Sequence, residues 1–142
     1  MNARERGNAY KETQIKTANQ IRLIVMLYDG AIRHLNLALD ALGAKHRRFD
    51  EVNNHIIAAQ DILSELMASL DFDKGGVLAK NLFSLYSFMN RRLLDGNLKK
   101  DPAPLVEVKK MLGDLREAWD EISTRKGLEE KATPATGVNI AG

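Results

Sequence analysis

Ile24, Tyr28, Ala31, Leu35, Ala38 and Leu42 recur at alternating spacings of four and three residues, and the series crosses Asp29-Gly30 without losing phase. That phase constrains the fold more than any other feature of the chain. Taken alone, Asp29-Gly30 between two apolar runs is a hairpin signal, and a Gly inside a helix costs roughly 1 kcal/mol relative to Ala. Residues spaced in this way share one helix face, whereas a turn would scatter them. One helix therefore carries the whole series. Gly30 sits inside it for another reason, either close approach of a neighbouring helix or a partner's backbone lying over it.

Three further patterns of the same period follow. The first helix is expected to begin near Thr17, where Thr17-Ala18-Asn19-Gln20 has capping-box spacing, and to end at Gly43, the usual residue for a left-handed cap. The second starts near Asp50 and carries Val52, Ile56, Ala59, Leu63, Leu66 and Leu70 up to a breaker at residues 71–76. The third runs from about Val77 to Asp95 with Leu78, Leu82, Leu85, Met89 and Leu93 on one face and Gly96-Asn97 as its stop. The fourth opens at Asp101-Pro102, an acidic N-cap with Pro at the first helical position, and carries Leu105, Val108, Leu112, Leu115, Trp119 and Ile122 as core. Short loops between such helices give an all-α fold, an antiparallel four-helix bundle over residues 17–125. Residues 1–16 read as a polar N-terminal arm. Residues 126–142, rich in Ala, Thr, Pro and Gly, read as a disordered tail.

A chain of 142 residues can bury about two-thirds of the surface its unfolded form exposes, enough for one domain with a real core. The absence of Cys excludes disulfides and thiolate metal sites. The start is hydrophilic through Gln14, unlike a signal peptide, and the dense apolar run from Leu23 to Tyr28 is far too short to span a bilayer. Cytoplasmic location without membrane insertion is the expectation. A net charge of +2, from 21 basic and 19 acidic residues, gives no polyelectrolyte signal, and Lys45-His46-Arg47-Arg48 reads as a solvated loop. No nucleic-acid partner is expected.

Candidate chemistry fails residue by residue. A di-metal bundle site needs Glu-x-x-His pairs, and none of the three histidines has Glu three positions before it. Glu51 and His55 have the spacing of a surface ion pair. Asp71-Phe72-Asp73 with Gly76 suggests a calcium loop, but the position that must supply a bidentate carboxylate is Leu82. His34 or His55 could serve a phosphotransfer bundle, yet neither is followed by the Lys-Gly pair of such sites. No phosphate-cradling loop or Ser/His/Asp set occurs. The expectation is a non-enzyme without metal or cofactor.

What the chain does carry is a surplus of apolar residues. A bundle helix needs roughly three apolar positions per heptad, and the second and third helices add Ile57, Ile62, Met67, Phe83, Tyr86, Phe88 and Leu94. Some widen the core. The rest, on two neighbouring helices, can form a groove for an amphipathic helix with anchors at i, i+3, i+4 and i+7. Tyr86 is the best single candidate, its ring lining the groove and its hydroxyl left wet. Tyr10 and Ile15, apolar residues in the polar arm, should seek cover on that same surface.

Several blocks also carry a resemblance. Ala-Tyr-Lys-Glu-Thr-Gln-Ile at 9–15 and Met26-Leu27-Tyr28-Asp29-Gly30-Ala31-Ile32 resemble the N-terminal signature of the FliS family, bacterial secretion chaperones for flagellin. Residues 59–66, Ser69-Leu70-Asp71, Gly75-Gly76, Ala79-Lys80-Asn81-Leu82 and residues 85–89 resemble its central blocks in order, and Leu115-Arg116-Glu117-Ala118-Trp119 its closing helix. The resemblance implies a chaperone that holds the disordered C-terminal segment of flagellin and docks with the export gate protein FlhA; a monomer or weak dimer is expected. Ile57, Asp61, Ile62, Phe83, Tyr86 and Asn90 are the candidate flagellin-binding residues, and Tyr10 and Ile15 the candidate gate-docking residues. A helical adaptor for another secretion or signalling partner, and a phosphotransfer bundle, remain the alternatives.

Overall fold

The computed structural model describes residues 2–139, with side chains described for 2–125. Among the described residues the chain forms four helices and no strand: α1 (Ala3–Gly43), α2 (Phe49–Ala68), α3 (Phe72–Lys99) and α4 (Pro102–Asn139). The disordered tail expected over residues 126–142 lies outside the residues whose side chains are described.

Helix α1 begins well before Thr17. Asn2 caps it: its Oδ1 accepts from the Glu5 N–H at 2.8 Å, and the Glu5 carboxylate accepts from the Asn2 N–H at 3.1 Å. This is a reciprocal capping box at Asn2-Ala3-Arg4-Glu5, with an Asn in place of the usual Ser or Thr. Thr17 is no cap, because its hydroxyl donates to the Thr13 carbonyl at 3.0 Å inside the helix. The arm is thus helical. Tyr10 and Ile15 remain 59% and 53% exposed, so their expected cover is not found. At its other end α1 stops at Gly43 as expected, but without a left-handed residue there.

The chain divides into two compact units, Leu27–Leu115 and the pair of segments Met1–Met26 and Arg116–Gly142. Within Leu27–Leu115, neighbouring helices meet in opposite order. Gly30 and His34 of α1 meet Ile62 and His55 of α2, in that order; Asn53 and Gln60 of α2 meet Asn97 and Asn90 of α3; Arg92 and Gly96 of α3 meet Glu107 and Leu105 of α4. Each decreasing series is the mark of an antiparallel pair. The core of this unit is built from Tyr28, Ala31, Leu35 and Ala38; Val52, Ile56, Ala59 and Leu63; Leu82, Tyr86, Met89 and Leu93; and Leu105, Val108 and Leu112. A Cβ on Gly30 would lie 3.2 Å from Ile62 Cδ1, so the glycine makes room for the neighbouring helix.

Helix α3 departs most from expectation. Asp71 caps it, its Oδ1 accepting from the Asp73 and Lys74 N–H groups at 3.0 Å each. Of the expected breaker at residues 71–76, Asp71 stays outside the helix as its cap and Gly76, with φ of 51° and ψ of −125°, interrupts it; a side chain at Gly76 would be strained. Gly96 is not the stop. It is buried, and a Cβ on it would stand 2.6 Å from Leu105 Cδ1. The helix ends instead in a Schellman closure, with Lys100 at φ 50°, its N–H on the Asn97 carbonyl, and the Asp101 N–H on the Gly96 carbonyl at 3.0 Å. Asp101 then caps α4, accepting from the Ala103 N–H at 3.0 Å, with Pro102 in the first turn as expected.

In the unit of Met1–Met26 and Arg116–Gly142, Ala18, Ile21 and Val25 are buried. Trp119, expected as core, is half-buried, and Ile122 is 39% exposed.

Candidate functional site

The buried stripe of α3 is Ala79, Leu82, Tyr86, Met89, Leu93 and Gly96, not the expected stripe with Leu78 and Leu85. Leu78 is exposed and Leu85 half-buried. Tyr86 therefore belongs to the core at 1% exposure, and its hydroxyl is not wet. It hydrogen-bonds the hydroxyl of Tyr28, also fully buried, with the rings tilted at 49°. Burial pushes the Tyr86 hydroxyl above its ordinary pKa, and the bond with Tyr28 opposes that shift. An aromatic hydroxyl can go inside when a second one is there to receive it. The sequence holds that signal in Tyr28, which lies on the stripe of its own helix.

A fraction of a turn around α3 from this stripe lies a different surface. Phe83, Ser87, Asn90 and Leu94 share an α3 face at spacings of four, three and four. Phe83 is 43% and Leu94 51% exposed. On α2, Ile57 is 44% exposed and Asp61 exposed, while Gln60 reaches across to α3, its Nε2 donating to the Asn90 carbonyl at 3.3 Å. Asn97 Nδ2 donates to Asn53 Oδ1 at 2.9 Å further along the same seam. The α2–α3 seam is thus closed by carboxamides and flanked by apolar side chains open to solvent. Asn90 Oδ1 is buried and makes no hydrogen bond in the chain, which carries a desolvation cost.

The six candidate residues do not form one patch. Ile57, Phe83 and Asn90 border the α2–α3 seam, with Asp61 one turn from Ile57. Ile62 turns to the opposite flank of α2 and packs against Gly30 of α1. Tyr86 lies beneath the surface. Phe72 was missed: in the first turn of α3 and 46% exposed, it stacks edge-on against Phe83 with centroids 5.9 Å apart. In the sequence its ring stands between the carboxylates of Asp71 and Asp73, apart from the apolar surplus of α2 and α3. Tyr10, the candidate gate-docking residue, is exposed near the start of α1, its hydroxyl accepting from Gln14 Nε2 at 3.0 Å, and Ile15 follows on the same helix.

The other polar candidates have partners of their own. Glu51 pairs with Arg48 at 3.2 Å rather than with His55, and His55 meets His34. The Asp71 carboxylate is occupied as a helix cap. Among the described residues no three His, Asp or Glu side chains converge as a metal-binding group, and no helix is long and apolar enough to cross a membrane.

A surface that offers apolar side chains around a fixed polar seam is suited to holding a partner. Comparison with known proteins agrees with that character. Residues 2–126 match the family model described as flagellar protein FliS. The chain is 37% identical over 127 residues to the flagellar secretion chaperone FliS of Salmonella typhimurium, covering 84% of this chain and 87% of the relative. It is 32% identical over 113 residues to the chaperone of the same name from Bacillus subtilis, covering 80% and 82% of the two chains. With the flagellar secretion chaperone FliSB of Pseudomonas aeruginosa the identity is 36% over 112 residues, covering 79% and 87%.

Proposed function

Because this chain belongs to the FliS family of flagellar secretion chaperones, we propose that it binds the disordered C-terminal segment of flagellin in the cytoplasm, prevents premature polymerisation and delivers the subunit to the export gate protein FlhA. One observation carries the client-binding part. Ile57, Phe72, Phe83 and Leu94 are 44%, 46%, 43% and 51% exposed on two packed helices whose core is already complete without them. Those side chains stabilise nothing in the free bundle at full value, and covering them is favourable by roughly 25 cal/mol per Å² of apolar area. A client segment that is unstructured alone can gain helix as it lays its apolar face there, ordering entropy opposing apolar burial. Asp61 and the carboxamides of Gln60 and Asn90 supply polar contacts that fix register. Tyr86 supports this surface from beneath, and Ile62 contributes from the α1 flank of α2. Tyr10 and Ile15, exposed on the first turns of α1, are the proposed contacts for the export gate.

The test is calorimetry and pull-down with full-length flagellin and with flagellin lacking its C-terminal segment. The full-length protein should bind with a large negative heat-capacity change, and circular dichroism of the mixture should exceed the sum of the parts. Equal binding of the truncated flagellin would defeat the reading and favour a general adaptor. Removal of residues 1–16 should abolish gate docking of the loaded complex while leaving flagellin bound; a large loss of flagellin affinity would place that segment in the client site.

A further inference from the structure

His34 of α1 and His55 of α2 meet across the α1–α2 seam with their Nδ1 atoms 3.1 Å apart and their ring centroids 5.3 Å apart. A hydrogen bond between two imidazole nitrogens needs one N–H and one lone pair. Two neutral rings can supply these with opposite tautomers, and one imidazolium with one neutral ring can also. Two imidazolium rings cannot, because both nitrogens then carry protons and both rings are positive. We propose that His34 and His55 form a proton-sensitive clasp between α1 and α2, closed while at least one ring is neutral and opened when both are protonated.

The surroundings of His34 favour its neutral form. Both rings are half-buried. Burial is the main cause holding His34 below the ordinary histidine pKa of 6.5, followed by the charge of Arg33 on its own helix and by His55 itself. Arg33 on α1 and His55 on α2 are both basic, and both act against the His34 cation. On α2, Glu51 lies one turn before His55 and would steady its cation, but Arg48 holds that carboxylate at 3.2 Å. One turn and more along the same seam, Ile62 packs on Gly30, so separating the rings works against a close helix contact with little slack.

The sign of the pH effect follows. A lowered folded pKa means that the unfolded chain binds the proton more readily, so the His34 contribution is fully present above about pH 7 and is lost as pH falls through about 6.5 toward the folded value. Thermal melts of the full chain between pH 7.5 and 5 should show Tm falling more steeply for the wild type than for His34→Gln, by on the order of 3 °C across that range. Histidine side-chain NMR on the same samples should place the His34 midpoint below the ordinary histidine value of 6.5, and His55→Gln should raise it. Equal pH slopes in the melts of wild type and His34→Gln overturn the clasp, as does a His34 midpoint that ignores His55→Gln. Should His34→Gln fail to fold, the comparison with His55→Gln and the wild-type titration decide the same question.

Discussion

Two faces of α3 lie a fraction of a turn apart and have met opposite fates. Leu82, Tyr86, Met89 and Leu93 are buried, whereas Phe83 and Leu94 are 43% and 51% exposed. The two sets are about equally apolar, so hydrophobicity does not sort them. Phase does: the buried set continues through Gly96, whose missing side chain admits Leu105 of α4. The exposed set flanks the seam with α2, where Gln60 reaches the Asn90 carbonyl, and Phe83 stacks on Phe72. Burial and exposure on this helix are therefore separated to within one position along the sequence, and the proposed binding surface can be tested apart from the core.

The largest test of that separation is Leu112→Ala. Leu112 is fully buried, and truncation should cost about 2 to 5 kcal/mol of stability in urea denaturation. A cost below about 1 kcal/mol would mean that this core can collapse around the cavity. Phe83→Ala should do the reverse, weakening flagellin binding by on the order of 1 to 3 kcal/mol in calorimetry while Tm changes little. If Phe83→Ala melts the bundle and leaves affinity intact, the exposed face is structural. Tyr86→Phe keeps the ring in the core and removes only the bond to Tyr28; a stability loss of roughly 1 kcal/mol with client affinity unchanged is expected. A selective loss of affinity would instead return Tyr86 to the client surface. The smallest effect is at the end of the helix. Lys100 has a left-handed backbone, so Lys100→Gly should raise stability by up to about 1 kcal/mol in the same denaturation series; destabilisation would show that its ammonium, bonded to the Asn97 side chain, outweighs the backbone strain.

Sequence determined the helices and most of their inner faces. The stripe from Tyr28 to Leu42 and the stripe from Val52 to Leu66 are buried as their spacing requires, because one helix period admits only one continuous apolar face. The cap at Asp101-Pro102 was equally legible, being local chemistry, whereas the two readings of Gly30 are separated only by Ile62 of α2 standing over it. Where two apolar series run in parallel on one helix, as Leu78-Leu85 and Ala79-Tyr86 do on α3, periodicity cannot choose between them. The choice depends on which side meets α2 and α4, and on Tyr28 standing ready to bond a buried hydroxyl. The start of α1 was missed for a simpler reason: Asn2 and Glu5 form a capping box ahead of a stretch with no apolar stripe to announce a helix. The pairing of His34 with His55, and the parting of Ile62 from Ile57, arise from contacts between residues far apart in the chain. Helix period is written in neighbours along the sequence, but which flank of a helix faces which partner is set only when the helices pack.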